Sequence, residues 1–285
     1  MRLLVFGQTG QVATELARRA PEAVFLGREQ ADLANPVSCA SAIRTHIPDA
    51  VINAAAYTAV DRAEGEEQLA TRVNGYAPAE MAHACAALDI PMIHISTDYV
   101  FDGCGSTPWH LDGIPTPKNA YGRSKLVGEQ AIAKARGPHA ILRTAWVFSA
   151  HGNNFVRSML RLSQTHEVLR IVDDQVGGPT PAADIAAACL SMAAQLKSDH
   201  DKTGTYHYTG APDISWKGFA EEILTMAGRD ATVTGIPTTK YPTPAQRPLN
   251  SRLDCTTTEM VFGLPRPDWR SGLVDVLTEL GEISA

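Results

Sequence analysis

No apolar run in the sequence approaches the roughly twenty residues that a membrane-spanning helix needs. Cysteine is scarce: Cys39, Cys85, Cys104, Cys189 and Cys255 form an odd, widely spaced set with no CxxC pair. That pattern argues against a disulfide framework or a zinc site and leaves the reduced thiols of a cytoplasmic protein as the expectation. The apolar stretch after Met1-Arg2, Leu3–Phe6, is too short for a signal-peptide core. Positive charge is also not in excess. The 25 Lys and Arg are outnumbered by 31 Asp and Glu, giving a formal net charge of −6, and the basic residues form no stripe. A nucleic-acid binder needs clustered cations to displace counterions, so none is expected. A small anionic ligand stays open, because a few local donors hold a phosphate whatever the overall sign.

What is present is an ordinary globular balance, 44% hydrophobic and 20% charged, over 285 residues with no internal repeat. That length suits one large α/β unit carrying a smaller one. Short apolar runs at Leu3–Phe6, Ala23–Leu26, Ala50–Asn53, Met92–Ile95 and Ala140–Arg143 read as buried strands. Helical stretches at Gln11–Arg19, Pro36–His46, Gln68–Leu88 and Tyr121–Arg136 lie between and after them. Such alternation predicts a parallel sheet covered on both faces, with ligands at the carboxyl ends of the strands. After about Phe148 the rhythm loosens. Helices are expected at Phe155–Gln164, Ala182–Leu196, Trp216–Ala227 and Ser271–Leu280, separated by turn-rich segments. Residues 1–150 are therefore read as a nucleotide-binding domain and 151–285 as mainly a substrate-binding domain, with a soft boundary that lets a segment return to the first.

Gly7-Gln8-Thr9-Gly10-Gln11-Val12-Ala13 follows the first strand directly and opens the first helix. Glycines at such a turn let the backbone approach a pyrophosphate at a helix N-terminus. Gly7, Thr9, Gly10, Gln11 and Val12 are thus candidate cofactor ligands. The second strand ends at Leu26-Gly27-Arg28, where an acidic residue would accept a ribose hydroxyl; Arg28 suits a 2′-phosphate instead. NADPH is expected, with NADH as the alternative and a solvated surface arginine as the bland reading. Asp32 and Leu33 would meet the adenine end, and Ala54, Ala55, Ala56, Tyr57 and Thr58 would flank the cofactor at the end of the third strand.

Tyr121-Gly122-Arg123-Ser124-Lys125 places a phenol and an ammonium one helical turn apart on one face. A nearby cation favours the phenolate and would lower the Tyr121 pKa from its usual value of roughly 10. Tyr-x-x-x-Lys is common by chance, but here Ser96-Thr97-Asp98-Tyr99 stands upstream at a strand end, where Thr97 can orient a carbonyl. Ser96 would point to the opposite side of an extended chain.

Together the glycine loop, Thr97 and Tyr121-x-x-x-Lys125 resemble the extended short-chain dehydrogenase/reductases. Within them the chain is most similar to the dTDP-4-dehydrorhamnose reductases. The resemblance runs through Phe6–Val12, Asn53–Asp61, Ser96–Phe101, Tyr121–Lys125, Gly152–Phe155, Asp174-Gln175 and Tyr241–Leu253. It implies a Rossmann-type doubly wound sheet with a smaller C-terminal α/β substrate domain. It also implies NADPH-dependent reduction of the C4 keto group of dTDP-4-dehydro-L-rhamnose. By the same resemblance Tyr121 is the proton donor, Lys125 its modulator and a ribose ligand, and Thr97 the transition-state stabiliser. Thr97, Asp98 and Trp146 would face the sugar, and Asn154 and Arg247 the nucleotide.

Some members dimerise through a glutamate cluster and a divalent cation. Glu15 and Glu279 match that cluster, but the third position is Ala183 with Asp184 beside it. A homodimer is admitted, and no catalytic metal is expected. Two rival functions remain. A redox-neutral epimerase or dehydratase on the same fold would consume no NADPH, and Asp98-Tyr99 lacks the Asp-Glu pair expected of a dehydratase. A non-catalytic regulatory subunit, like the one that resembles this family in methionine adenosyltransferase, would act by association; the intact Thr97, Tyr121 and Lys125 weigh against it.

Overall fold

The computed structural model describes residues 1–284. Six strands form one parallel sheet in the order Gly204–His207, His139–Thr144, Met92–Thr97, Ala50–Asn53, Leu3–Phe6, Val24–Leu26. Alternate side chains of each strand serve opposite faces. Leu3 and Val5 pack with Val12 and Leu16 of the Gln11–Arg19 helix and with Ile185, Cys189 and Met192 of the Ala182–Ser198 helix. Leu4 and Phe6 pack on the other face with Ile43 of the Pro36–His46 helix, Met81 and Cys85 of the Ala77–Leu88 helix, and Ile132 of the Ala120–Ala135 helix. Burial on both faces explains why these strands read as unbroken apolar runs. This is the doubly wound α/β arrangement of the Rossmann type.

The elements at Leu3–Phe6, Ala50–Asn53, Gln11–Arg19 and Pro36–His46 have the bounds expected from the sequence. Two features differ. The single helix expected over Gln68–Leu88 is broken into Glu67–Thr71, a π-helical turn at Arg72–Tyr76, and Ala77–Leu88. Pro78 lacks the N–H that an α-helix would donate to the Asn74 carbonyl, and its ring would crowd that oxygen. The widened turn lets Asn74 work sideways: its Nδ2 donates to Ser124 Oγ at 2.9 Å and to the Tyr57 carbonyl at 3.0 Å.

The second difference is the sixth strand, Gly204–His207, which comes from the second half of the chain and pairs with His139–Thr144 at the edge of the sheet. Its Gly-Thr-Tyr-His sequence has no apolar run to announce it. The rest of the second half has a separate core around Phe148, Val156, Leu160, Phe219, Ile223 and Trp269. Helices Phe155–Ser163, Trp216–Met226 and Trp269–Glu279 enclose it with the paired strands Val168–Val172 and Thr232–Ile236.

Candidate active site

Leu3–Phe6 lies between Val24–Leu26, the next strand in the chain, and Ala50–Asn53, to which the chain crosses back, so the sheet order reverses beside the glycine loop. Crevices open at such switch points because the two connecting segments diverge. Two cavities that share lining residues lie there. One, of about 560 Å3, is lined by Gly7, Thr9, Gly10, Arg28, Asp32, Leu33, Ala54–Ala56 and Thr58. The other, of about 590 Å3, is lined by Thr9–Val12, Asn53–Ala56, Thr58, Thr97, Asp98, Tyr121, Lys125, Trp146 and Trp216.

Backbone geometry suits the loop to a phosphate. Gly7 has φ +115°, a conformation that disfavours any side chain. Gly10 caps the Gln11–Arg19 helix with no side-chain hydrogen bond, and that helix has no acidic residue in its first turn. Its first N–H groups are therefore available to an anion.

Asn119 starts the Ala120–Ala135 helix: its Oδ1 accepts the Gly122 N–H at 2.8 Å, and its Nδ2 donates to the Gln246 carbonyl at 2.8 Å. A Cβ on Gly122 would stand 2.2 Å from the Tyr99 carbonyl oxygen, so only glycine lets this helix approach so closely. The rings of Tyr99 and Tyr121 meet edge to face with centroids 5.6 Å apart.

Thr97 ends the Met92–Thr97 strand with its Oγ1 accepting the Tyr99 N–H at 3.2 Å and donating to Asp98 Oδ1 at 3.1 Å. Ser96 turns the other way, as expected, and donates to Glu129 at 2.6 Å. Glu129 is paired with Arg143, both buried, at 2.6 Å. Asp98 Oδ2 is buried with no partner, and burial pushes its carboxyl up to about 6 against the pull of the Ser251 and Thr97 hydroxyls.

The electrostatics of the Tyr-Lys pair depart from the sequence expectation. Burial pushes the Tyr121 phenol up to about 12, with the Thr97 hydroxyl pulling it down and Asp98 pushing it further up. Burial pushes Lys125 down to about 8, opposed by Glu129. Lys125 Nζ donates to the Ile95 carbonyl at 2.6 Å and meets His94 Nε2 at 3.2 Å. Desolvation thus outweighs the expected lowering of the Tyr121 pKa, and the phenol is held protonated.

Three other expected residues lie apart from the cavities. Tyr57 lines neither: its hydroxyl donates to Glu66 at 2.7 Å, and its ring packs with Ala63, Ala70 and Ala120. Asn154 caps the Phe155–Ser163 helix, and its amide donates to Gln11, Ser149 and His151; neighbouring Asn153 lines the larger cavity instead. Arg247 bonds Asp61 at 2.7 Å, with Nη1 buried and unpartnered. Trp146, at φ 50°, stacks on Trp216 inside the larger cavity. Sequence reasoning missed Trp216, which no local motif marks, and left Asn53 inside a family-like segment without a role.

Among the described residues one other titratable cluster stands out. Glu15, His151 and Glu279 bring one ligand atom each within 4.8 Å of one another. Arg18 pairs with Glu279 at 2.5 Å and Arg19 with Glu15 at 2.8 Å, so both carboxylates already have cationic partners. No helix among the described residues is long and apolar enough to cross a membrane.

A glycine loop at the first strand of a doubly wound sheet, facing a Thr, Tyr and Lys set across one cavity, defines an extended short-chain dehydrogenase/reductase. Residues 1–282 match the family model described as the RmlD substrate binding domain. The chain is 45% identical to the dTDP-4-dehydrorhamnose reductase of Sinorhizobium fredii, over 94% of each chain. It is 38% identical to that of Escherichia coli, over 98% of each. A crystal structure of the enzyme from Clostridium acetobutylicum is similar with a TM-score of 0.91 and 34% identity, covering 99% of this chain and 100% of that one. The Bacillus anthracis enzyme in complex with NADP gives a TM-score of 0.89 and 31% identity over 98% and 99%. The chain belongs to the dTDP-4-dehydrorhamnose reductase family of NAD(P)-dependent oxidoreductases.

Proposed function

We propose that this protein reduces the C4 keto group of dTDP-4-dehydro-L-rhamnose to give dTDP-L-rhamnose, with NADPH as the reductant. The observation that carries the reading is that Thr97, Tyr121 and Lys125 line the same cavity as the phosphate-type loop. The family relationship supplies the substrate. NADPH, when bound, provides the hydride for C4; Gly7, Gly10 and the free N–H groups of the first helix fit its pyrophosphate, and Arg28 its 2′-phosphate.

Protein groups supply the rest. Tyr121, held as a phenol by burial, donates its proton to the oxygen developing at C4, a general-acid step worth about 10²–10⁴-fold. Thr97 orients that oxygen, so its contribution grows as charge develops. Lys125, one turn along the helix and lining the same cavity, would hold the nicotinamide ribose of the cofactor. The unpartnered Asp98 Oδ2 accepts a sugar hydroxyl, and Trp146 backed by Trp216 gives the sugar a flat wall. Arg247, paired with Asp61 outside both cavities, is given no part in holding the substrate.

Residues 1–150 mainly hold the cofactor and residues 151–285 mainly hold the sugar nucleotide, while Ala182–Ser198 and Gly204–His207 complete the cofactor sheet. A cytoplasmic setting is our reading of the cysteine pattern, an odd and widely spaced set suited to reduced thiols.

The test mixes purified protein, NADPH and dTDP-4-dehydro-L-rhamnose and follows absorbance of the reduced cofactor. Stoichiometric oxidation, reduced about 10²–10⁴-fold in Tyr121→Phe with NADPH binding kept, is the expected result. Sugar conversion without net NADPH oxidation would replace the reading by an epimerase or dehydratase.

A further inference from the structure

Trp146 lines the larger cavity at φ 50°, an uncommon conformation for a bulky side chain, which persists only where the surroundings enforce it. The turn-rich segment Gly177-Gly178-Pro179-Thr180 runs beside it and lines neither cavity. The Thr180 N–H donates to the Trp146 carbonyl at 3.1 Å, and Val147 pairs with Thr180 in a short parallel ladder. Those contacts hold the tryptophan backbone.

A missing side chain holds the ring. Gly177 has no positive φ, so its backbone conformation does not demand glycine. A Cβ there would stand 3.0 Å from Trp146 Cε2, 3.2 Å from Trp146 Nε1 and 2.9 Å from Ser251 Cβ. All three separations fall short of the roughly 3.5 Å at which carbon atoms pack best. The strand cannot step aside to make room. Val176–Gly177 is the central strand of a three-stranded sheet, with Gly177 opposite Ile214 on one side and Ser251 on the other. Trp216 follows Ile214–Ser215 directly, so the same sheet sets where the second indole begins. The Trp146 ring already stacks on Trp216 with centroids 3.5 Å apart and has no room to move toward it.

We propose that Gly177 is a positioning residue that seats the Trp146 indole against Trp216, and thereby sets how tightly the sugar nucleotide is held without touching it. The role in binding rests on the reductase reading, whereas the seat itself rests on geometry alone. Alanine at this position adds one methyl group that only the indole or Ser251 can yield to. The stack should loosen and the flat wall of the sugar site should shift. The cofactor should be affected far less, because Arg28, Asp32 and Leu33 line the neighbouring cavity.

Indole N–H resonances in the proton–nitrogen spectrum report the seat without turnover. The chain has four tryptophans, Trp109, Trp146, Trp216 and Trp269, and loss of signals in Trp146→Phe and Trp216→Phe assigns the two that matter. In Gly177→Ala the Trp146 and Trp216 signals should move while those of Trp109 and Trp269 stay. An unmoved Trp216 signal would mean an intact stack and would overturn the proposal. KM for the sugar nucleotide should rise about tenfold with kcat changed by less than about threefold, since what is lost is binding common to ground and transition states. In a Trp146→Phe background the same glycine substitution should raise KM less than about twofold further. A full tenfold rise there would show that Gly177 acts through some other group, and would also overturn the proposal. Should Gly177→Ala fail to fold, Gly177→Ala with Ser251→Gly relieves the other close contact; judged against Ser251→Gly alone, it carries the same expectations and refutations. A parent protein that reduces no keto sugar, while its tryptophan signals respond as expected, would refute the reductase reading and not the seat.

Discussion

The Trp146 indole lies flat on the Trp216 indole, with ring centroids 3.5 Å apart and planes within 9°. The pair joins the segment after the His139–Thr144 strand to the first residue of the Trp216–Met226 helix, and so joins the two halves of the chain at the cavity. Aromatic pairs contribute about 0.5–1.5 kcal/mol beyond their area burial. Trp216→Ala should release Trp146 and raise KM for the sugar nucleotide about tenfold, corresponding to about 1.4 kcal/mol. The NADPH dissociation constant, measured by fluorescence titration, should change far less, because Gly7, Arg28, Asp32 and Leu33 line the neighbouring cavity, which neither tryptophan reaches.

Arg28 lines the cavity that holds Gly7, Asp32 and Leu33. A guanidinium pairs with a phosphate far more strongly than with a hydroxyl, so on the proposed reading Arg28 favours a 2′-phosphate over a 2′-hydroxyl. Arg28→Ala should lower kcat/KM with NADPH about tenfold, or about 1.4 kcal/mol, and leave the NADH value nearly unchanged. Steady-state kinetics with both cofactors decide it; equal losses would make Arg28 structural.

Asp98 sets a pH dependence whose sign follows from linkage. Burial holds its carboxyl at about 6 in the folded protein, above the roughly 3.9 of a free aspartate, so the folded state holds the proton more tightly. Its stabilising contribution is present below pH 4 and lost as pH rises through 6. The loss is on the order of 3 kcal/mol. Urea unfolding of Asp98→Asn beside the parent should show the variant gaining relative stability from pH 4 to pH 7. A constant difference would mean that the folded carboxyl titrates normally.

Glu129 and Arg143 form a buried pair that also holds Ser96, with Arg143 over the Phe101 ring. Glu129→Gln strands the guanidinium charge and should cost about 3–5 kcal/mol in thermal or urea unfolding. Glu67→Gln breaks the half-exposed pair with Arg123, which geometry alone would rate equally strong at 2.7 Å. Solvent screening should limit that loss to below about 1 kcal/mol. Similar losses from the two variants would contradict the burial argument.

The sequence by itself determined the parts whose cause is local. Leu3–Phe6 must be buried on both faces because every residue in it is apolar, and the Gly7–Gly10 turn was legible because its glycines meet a backbone requirement. Tyr121 and Lys125 share a face because helical geometry puts residues four apart together. The tertiary structure decided what depends on neighbours distant in sequence. The Arg72–Tyr76 turn widens because Pro78 cannot satisfy Asn74, whose side chain is then used by Ser124 fifty positions along. The Gly204–His207 strand exists because His139–Thr144 offers it an edge. Protonation was also decided there, since no motif reports that burial raises Tyr121 to about 12 and lowers Lys125 to about 8. Asn53 and His94 are adjacent only because two strands align in register, which brings Asn53 Nδ2 within 3.0 Å of His94 Nδ1. Local conformation follows from nearby residues, whereas solvent exclusion and hydrogen-bond direction are set only once the distant parts of the chain have met.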